Sequence, residues 1–172
     1  MISIEDASEH IIEISDELIL VNKIVKSSSE IIEELGSLLT LRGYVKASYI
    51  QAVLEREEKF PTGLETHVMG VAIPHSDTNH VNRPAIAIAS LNKPVIFRAM
   101  EDPGKEIEVI FVLMLAIANP KAVVHILRNI FLLLGNEKAL TDLKNASKSK
   151  SSIKEILVAK IGLDALNDLD VK

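Results

Sequence analysis

The chain has no cysteine and no tryptophan, and it contains only two tyrosines. Without cysteine there is no disulfide, no thiolate zinc site, no iron–sulfur cluster and no cysteine nucleophile. Long apolar runs are also scarce, because the longest, residues 109–118, has about half of the ~20 residues that a spanning helix needs. The N-terminus carries acidic residues where a signal peptide would carry positive ones. These absences predict a soluble cytoplasmic chain with no direct membrane insertion.

Excess positive charge is missing too. The 24 acidic side chains exceed the 19 basic ones, which gives a formal charge of −5. A phosphate backbone or an anionic membrane attracts basic surfaces, so nucleic acid is not expected as a partner. With 172 residues, 48% of them hydrophobic, the composition is that of one globular domain spanning residues 1–172.

Strand-like and helix-like segments alternate along this domain. Apolar runs of strand length occupy residues 18–21, 68–73, 84–91, 95–97 and 107–115, and the last is apolar enough to be a central strand covered on both faces. Helices are predicted at residues 28–42, 46–59, 121–134, 137–145 and 153–160, with capping boxes at Ser27-x-x-Glu30 and Ser152-x-x-Glu155. The order predicts an α/β fold, a mixed sheet with helices on both sides, and a frayed tail at residues 163–172.

His75 is the first candidate for chemistry. It follows an apolar segment, residues 71–73, that Pro74 ends, so the imidazole lies just past the carboxyl end of a predicted strand. Ligands of open α/β sheets bind at that edge, and proline stiffens the turn that presents the ring. The alternative is an ordinary solvated turn residue.

Arg56 is a charge on an apolar helix face. The other members of that face are Tyr49, Ala52, Val53 and Phe60. The guanidinium either extends to solvent or pairs with a nearby glutamate, unless it has a role in a site.

His125 lies in the predicted helix 121–134, opposite the apolar stripe and beside Lys121, Arg128 and Asn129. It is either an exposed side chain or a second imidazole near the first turn, where backbone N–H groups favour an anion. The expected buried stripe consists of Val123, Ile126, Leu127, Ile130 and Leu134.

A metal site is the alternative use of the histidines. His67, His75, Asp77 and His80 lie within fourteen residues, but their spacing matches no metal-site pattern. We therefore expect no metal.

Two segments carry a family resemblance. Residues 55–64 read Glu-Arg-Glu-Glu-Lys-Phe-Pro-Thr-Gly-Leu, and residues 70–75 read Gly-Val-Ala-Ile-Pro-His. In this order they resemble the enzyme IIA domain of the mannitol/fructose superfamily of the bacterial phosphoenolpyruvate-dependent sugar phosphotransferase system. The Phe-Pro-Thr-Gly segment and the Asn119-Pro120 helix entry are most similar to the galactitol-specific branch. The resemblance covers about residues 18–157.

The resemblance implies a role for each candidate. His75 would accept a phosphoryl group from the phosphocarrier protein HPr and pass it to a cysteine of the IIB component, which serves the membrane IIC permease. Arg56 would orient and neutralise the phosphoryl group, and His125 matches the second active-site histidine of the mannitol-type branch. A neutral imidazole can attack phosphorus without a general base, so no cofactor or metal is required.

Three functional classes follow. The first is a separate transport subunit for a sugar alcohol similar to galactitol, a sugar that a IIA protein never touches in this mechanism. The second is a regulatory relative, resembling nitrogen-type IIA proteins, and the third is a non-catalytic domain or metal-dependent enzyme with the same fold. Brief docking of partner proteins predicts a shallow apolar patch around His75. Phe60, Leu64 and Met69 are candidates for this patch, with core packing as the alternative for each.

Overall fold

The computed structural model describes residues 12–162. The strands within this range form one five-stranded sheet. The strands are β1 Ile19–Lys23, β2 Gly63–Glu65, β3 Gly70–Ala72, β4 Ala85–Arg98 and β5 Glu106–Ala116. Their order in the sheet is β1-β4-β5-β3-β2. Strands β1 and β4 are parallel, as are β3 and β5, whereas β4 and β5 and the β2–β3 pair are antiparallel. The predicted mixed sheet is thus confirmed.

Strand β5 lies in the middle of the sheet, as its apolar sequence predicted. Its residues from Phe111 to Ala116 are all buried. The segments 84–91 and 95–97, predicted as two strands, are one long strand, β4, whose pairing with β5 shifts between Ser90 and Val95. The short strand β2 had no periodic signal of its own and was not predicted.

Helices cover both faces of the sheet, which confirms the predicted layers. The helices are α1 Ser28–Leu41, α2 Tyr49–Lys59, α3 Pro120–Leu134, α4 Glu137–Asn145 and α5 Lys150–Leu157. Leu35 of α1 and Val53 of α2 pack into the core on one face. Ile130 of α3, Leu140 of α4 and Ile153 of α5 pack into the core on the other. None of the described helices is long and apolar enough to cross a membrane.

Most helix boundaries follow the predicted capping chemistry. Ser27 caps α1 by accepting from Glu30 N at 3.2 Å, and the Glu30 carboxylate accepts from the neighbouring Lys26 N. Beyond the end of α1, Gly43 adopts φ +78°, a conformation that glycine reaches without strain. Asn119 caps α3 by accepting from Lys121 N at 2.9 Å.

The second predicted capping box is wrong. Ser149, not Ser152, is the N-cap of α5, and its hydroxyl accepts from Ser152 N. Residues 147–152 contain several serines that could serve as caps. Because Ser149 is the one used, α5 begins at Lys150 and not at residue 153 as predicted. The predicted frayed tail, residues 163–172, lies outside the described residues.

Helix α2 begins three residues later than predicted. Lys46 is held by the loop after β3, because its N–H donates to His80 O at 2.9 Å. The Lys46 carbonyl in turn accepts from Tyr49 N, the first residue of α2. A contact distant in sequence therefore sets this boundary.

Candidate active site

His75 lies at the carboxyl edge of the sheet. The chain continues from β3 alongside β5, where Leu115 N donates to Pro74 O at 3.0 Å and His75 itself pairs with Leu115. Strands β3 and β5 are parallel, so both end at this edge, close to the start of α3. This is the placement that the sequence predicted for the imidazole.

The ring of His75 is held through one nitrogen. Its Nδ1 lies 2.8 Å from the carbonyl oxygen of Ile73. A carbonyl oxygen only accepts, so this contact assigns the proton to Nδ1 and leaves a lone pair on Nε2. Burial lowers the pKa of His75, and the charge of Arg56 lowers it further, against the opposite effects of the Ile73 hydrogen bond and of Asp77. The environment thus favours a neutral ring with a nucleophilic Nε2.

Arg56 reaches the same edge from the last turn of α2. Its Nη1 lies 3.2 Å from Asp77 Oδ1, and its guanidinium carbon lies 5.7 Å from the centroid of the Phe60 ring. The ion pair answers the question left by the sequence, since the partner is an aspartate of the loop after His75 and not a neighbouring glutamate. Among the described residues, Arg56 Nε is a buried nitrogen that has no hydrogen-bond partner.

His125 is half-buried on the flank of α3, and not opposite its apolar stripe as predicted. The helix is rotated relative to the predicted orientation because it packs against the π-helical turn Val158–Gly162 as well as against the sheet. Asn129, expected to be exposed, is therefore only 6% exposed. Within residues 12–162, His125 makes no hydrogen bond or ion pair with His75 or Arg56. The buried positions of α3 are Ala122, Ile126, Asn129, Ile130 and Leu133.

Two residues that were not predicted as functional connect α2 to His75. Thr62 donates to Glu57 twice at 2.8 Å, from its N–H to Oε1 and from its hydroxyl to Oε2. Ile73 N donates to the Thr62 hydroxyl at 3.2 Å. Burial raises the pKa of Glu57, and both bonds from Thr62 act in the opposite direction. The Arg-Glu and Pro-Thr-Gly segments contained these residues, but no periodicity or spacing indicated that they meet.

A third unpredicted contact comes from the first residue of α2. The hydroxyl of Tyr49 donates to Leu115 O at 2.7 Å in the core. Burial raises the pKa of Tyr49, so the phenol keeps its proton as a donor. Because Leu115 pairs with His75, this bond fixes the strand next to the imidazole.

The expected apolar patch is reduced to one residue. Phe60 is 64% exposed and lies beside Arg56. Met69 is buried in the core, and Leu64 lines a groove together with Phe131 of α3. Core packing, the alternative stated for each residue, is therefore correct for Met69.

The histidines considered as metal ligands lie before and after β3. His67 lies in the turn before β3, whereas His75 follows the other end of the strand. Within the part of the chain that the structure describes, no three side chains of the ligand types gather where a metal ion could be held.

Fold and site together define an α/β domain that presents one nucleophilic imidazole beside a guanidinium at the carboxyl edge of its sheet. The sequence profile of the family described as "Phosphoenolpyruvate-dependent sugar phosphotransferase system, EIIA 2" matches residues 13–160, and the chain belongs to that family. It is accordingly a phosphotransferase component with a phosphohistidine intermediate. The resemblance seen in the sequence is confirmed.

Similar proteins and structures agree with this assignment. The galactitol-specific EIIA component of Escherichia coli K12 is 30% identical over 103 residues, which cover 60% of this chain and 68% of that protein. The complex of enzyme IIAMTL and phosphorylated enzyme IIBMTL from Escherichia coli matches with a TM-score of 0.70 and 22% identity, over 87% of this chain and 99% of that one. Nitrogen regulatory protein IIA-Ntr from Neisseria meningitidis matches with a TM-score of 0.66 and 23% identity, over 87% and 97%. The two structural matches establish the fold.

Proposed function

We propose that this chain is a transport-linked phosphocarrier that accepts a phosphoryl group from phospho-HPr on His75 Nε2 and passes it to a cysteine of a IIB component. The observation that carries the proposal is the Nδ1 contact with Ile73 O, which leaves Nε2 free beside the charge of Arg56. The IIB component would in turn serve a membrane IIC permease. The relay would operate in the cytoplasm.

Both transfers use the same nitrogen, His75 Nε2, and in each of them one bond to phosphorus forms while another breaks. In the first, the lone pair of His75 Nε2 attacks phosphorus, the P–N bond of phospho-HPr breaks, and its electron pair returns to the HPr nitrogen. In the second, a IIB thiolate attacks the same phosphorus, an S–P bond forms, and Nε2 recovers its lone pair. The proton stays on Nδ1, which donates it in a hydrogen bond to the Ile73 carbonyl throughout, so neither step requires a general base.

Arg56 supplies the charge that phosphoryl transfer requires. A positioned cation stabilises the oxygens of the transferring group without covalent chemistry. A buried donor without a partner costs about 1–3 kcal/mol, and Arg56 Nε is such a donor within the part of the chain that the structure describes. That cost is consistent with a side chain whose acceptor arrives with the reaction. We assign His125 the lesser role of a second imidazole at the margin of the site.

The substrate of the transport system is a finer inference. The 30% identity to a galactitol-specific component supports a sugar alcohol such as galactitol. The fold similarity to a nitrogen regulatory protein supports the alternative, a regulator that binds other proteins in one phosphorylation state. Onward transfer to a sugar-specific IIB distinguishes the two, because the transport subunit requires it and the regulator does not.

The first test is phosphoryl transfer in a purified system. The protein is incubated with phosphoenolpyruvate, enzyme I and HPr, and its intact mass is measured. We expect one acid-labile phosphoryl group on the wild type, none on His75→Ala, and one on His67→Ala, which alters an exposed histidine at the other end of β3. Galactitol-type IIB is then added, and the label should move to its cysteine.

Failure at each step has a distinct meaning. An unlabelled wild type, in the presence of phosphorylated HPr, would contradict the phosphocarrier role. A labelled protein that transfers to no sugar-specific IIB would replace the transport role with the regulatory one.

A further inference from the structure

We propose that Thr62, held by Glu57, is a positioning residue that keeps His75 in its reactive tautomer. The effect passes through the backbone of Ile73, whose carbonyl accepts the Nδ1 proton. This inference deepens the proposed function and rests on it.

The connection consists of consecutive short contacts. Both oxygens of Glu57 accept from Thr62 at 2.8 Å. The Thr62 hydroxyl accepts from Ile73 N at 3.2 Å, and the Thr62 carbonyl lies 3.4 Å from the same nitrogen. The Ile73 carbonyl then lies 2.8 Å from His75 Nδ1. A helix on one face of the sheet is thereby connected to the nucleophile in three steps.

The middle position requires a side chain that both donates and accepts. Thr62 Oγ1 donates to Glu57 and at the same moment accepts from Ile73, and no apolar or purely donating side chain can do both. Thr62 is 2% exposed and Ile73 is fully buried, so solvent water has no access to replace the hydroxyl. Thr62 donates from both its hydroxyl and its N–H to the Glu57 carboxylate, and the bond from the hydroxyl directs its proton to Glu57 and leaves its lone pairs to accept from Ile73 N.

The backbone around Ile73 depends on this bond. The following residue, Pro74, has no N–H and a fixed φ, and its carbonyl is held by Leu115 N at 3.0 Å. On its other side the segment is held at Ile73 N, which donates to the Thr62 hydroxyl at 3.2 Å and to the Thr62 carbonyl at 3.4 Å. In a neutral imidazole, the hydrogen bonds of the two nitrogens decide which of them carries the proton. Here the Ile73 carbonyl accepts from Nδ1 and so keeps the proton there. If the Ile73 carbonyl shifts away, Nδ1 loses its acceptor and the tautomer protonated at Nε2 becomes more populated. In that tautomer Nε2 has no lone pair with which to attack phosphorus.

The test compares three threonine variants. Thr62→Val removes the hydroxyl at nearly constant volume, and Thr62→Ser retains it. Thr66→Val is the matched control, because the half-buried Thr66 hydroxyl also bonds to the backbone, donating to Met69 O at 2.6 Å, but at the opposite end of the β2–β3 pair. The His75 tautomer is read from nitrogen-15 NMR of the imidazole, the rate of labelling from phospho-HPr, and the fold from circular dichroism and urea unfolding.

We expect Thr62→Val to raise the share of the Nε2-protonated ring and to slow labelling about tenfold, the effect of one lost hydrogen bond on a barrier. Thr62→Ser should restore both readouts, and Thr66→Val should leave both at the wild-type value. A folded Thr62→Val protein with wild-type tautomer and rate would overturn the proposal, as would equal effects of Thr62→Val and Thr66→Val.

A second variant keeps the proposal testable if the first one does not fold. If Thr62→Val does not fold, Glu57→Gln tests the same chain of contacts, since an amide replaces one acceptor with a donor and leaves one Thr62 bond unmade. The tautomer must again shift, and an unchanged ring would overturn the proposal. The NMR readout needs no phosphoryl donor, so it decides the positioning role even where the wild type fails to be labelled and the proposed function falls.

Discussion

At the residue scale, the proposed function depends on the imidazole of His75, and the surroundings of this ring determine its charge. Burial and the nearby Arg56 lower the pKa of His75, while Ile73 and Asp77 oppose them. A histidine in an ordinary turn would titrate at about 6.5. Holding the ring neutral at lower pH preserves the Nε2 lone pair on which the proposed transfer depends.

This environment predicts the pH dependence of labelling. The rate of phosphoryl transfer to His75 should stay high as the pH falls through the ordinary histidine range, with a midpoint below about 6.5. A titration of His75 followed by proton NMR should give the same midpoint. A midpoint at or above the ordinary value in both measurements would contradict the assigned environment.

Stability should respond with a definite sign. The folded pKa lies below the unfolded one, so between the two values the unfolded chain binds more protons and the free energy of unfolding rises with pH. As the pH falls through this window, the wild type therefore loses stability that a His75→Gln variant retains. Urea unfolding of both proteins across the window measures the difference.

Close packing of one short strand determines where the imidazole lies at the element scale. Strand β3 has three residues, and its first, Gly70, pairs with Val109 of β5. A Cβ on Gly70 would lie 2.0 Å from Glu108 O, a backbone atom that cannot move without shifting β5. Glycine is required here because the two backbones approach so closely.

Gly70→Ala tests this close approach. The added methyl must separate β3 from β5, and we expect a loss of at least about 2 kcal/mol in the free energy of unfolding together with slower labelling of His75. Gly135→Ala is the control, because its Cβ would meet Phe131 O at an ordinary 3.5 Å. Its effect should stay within about 0.5 kcal/mol in the same urea experiment. Equal stabilities of the two variants would exclude the steric argument.

Helix α3 shows how far an element can be predicted from sequence. Asn119, Pro120 and Gly135 predicted both of its ends, because capping depends on hydrogen bonds between residues that are neighbours in sequence. The predicted orientation of the helix about its own axis was wrong, because a helix that is apolar on most sides can bury any of several stripes. The π-helical turn Val158–Gly162 determined which stripe is buried, and it is distant in sequence.

One sheet joins two cores at the scale of the whole molecule. Val112 and Met114 of β5 point to the core under α1 and α2, and Leu113 between them points to the core under α3–α5. The side chains of a strand alternate in this way, so each core is built from the same backbone. The two layers should therefore unfold together.

Leu113→Ala tests this coupling. Both tyrosines belong to the opposite core, which Tyr49 enters and Tyr44 packs against, so their emission reports the face that the mutation does not touch. We expect the urea midpoints of tyrosine emission and far-ultraviolet circular dichroism to coincide and to fall together, with a loss of about 2–5 kcal/mol. Separate midpoints, with the tyrosine transition unmoved, would show two independent cores.

Local sequence patterns were sufficient to predict the features that neighbouring residues decide. The apolar run of β5, the caps of α1 and α3, and the Pro74-His75 turn are local patterns, and with them came the mixed sheet, the two helical layers, His75 and Arg56. The tertiary structure alone decided the Arg56–Asp77 pair, the Glu57–Thr62–Ile73 connection, the Tyr49–Leu115 bond and the orientation of His125. Each of these depends on distances between residues of different elements, and such distances exist only after the helices and strands have packed.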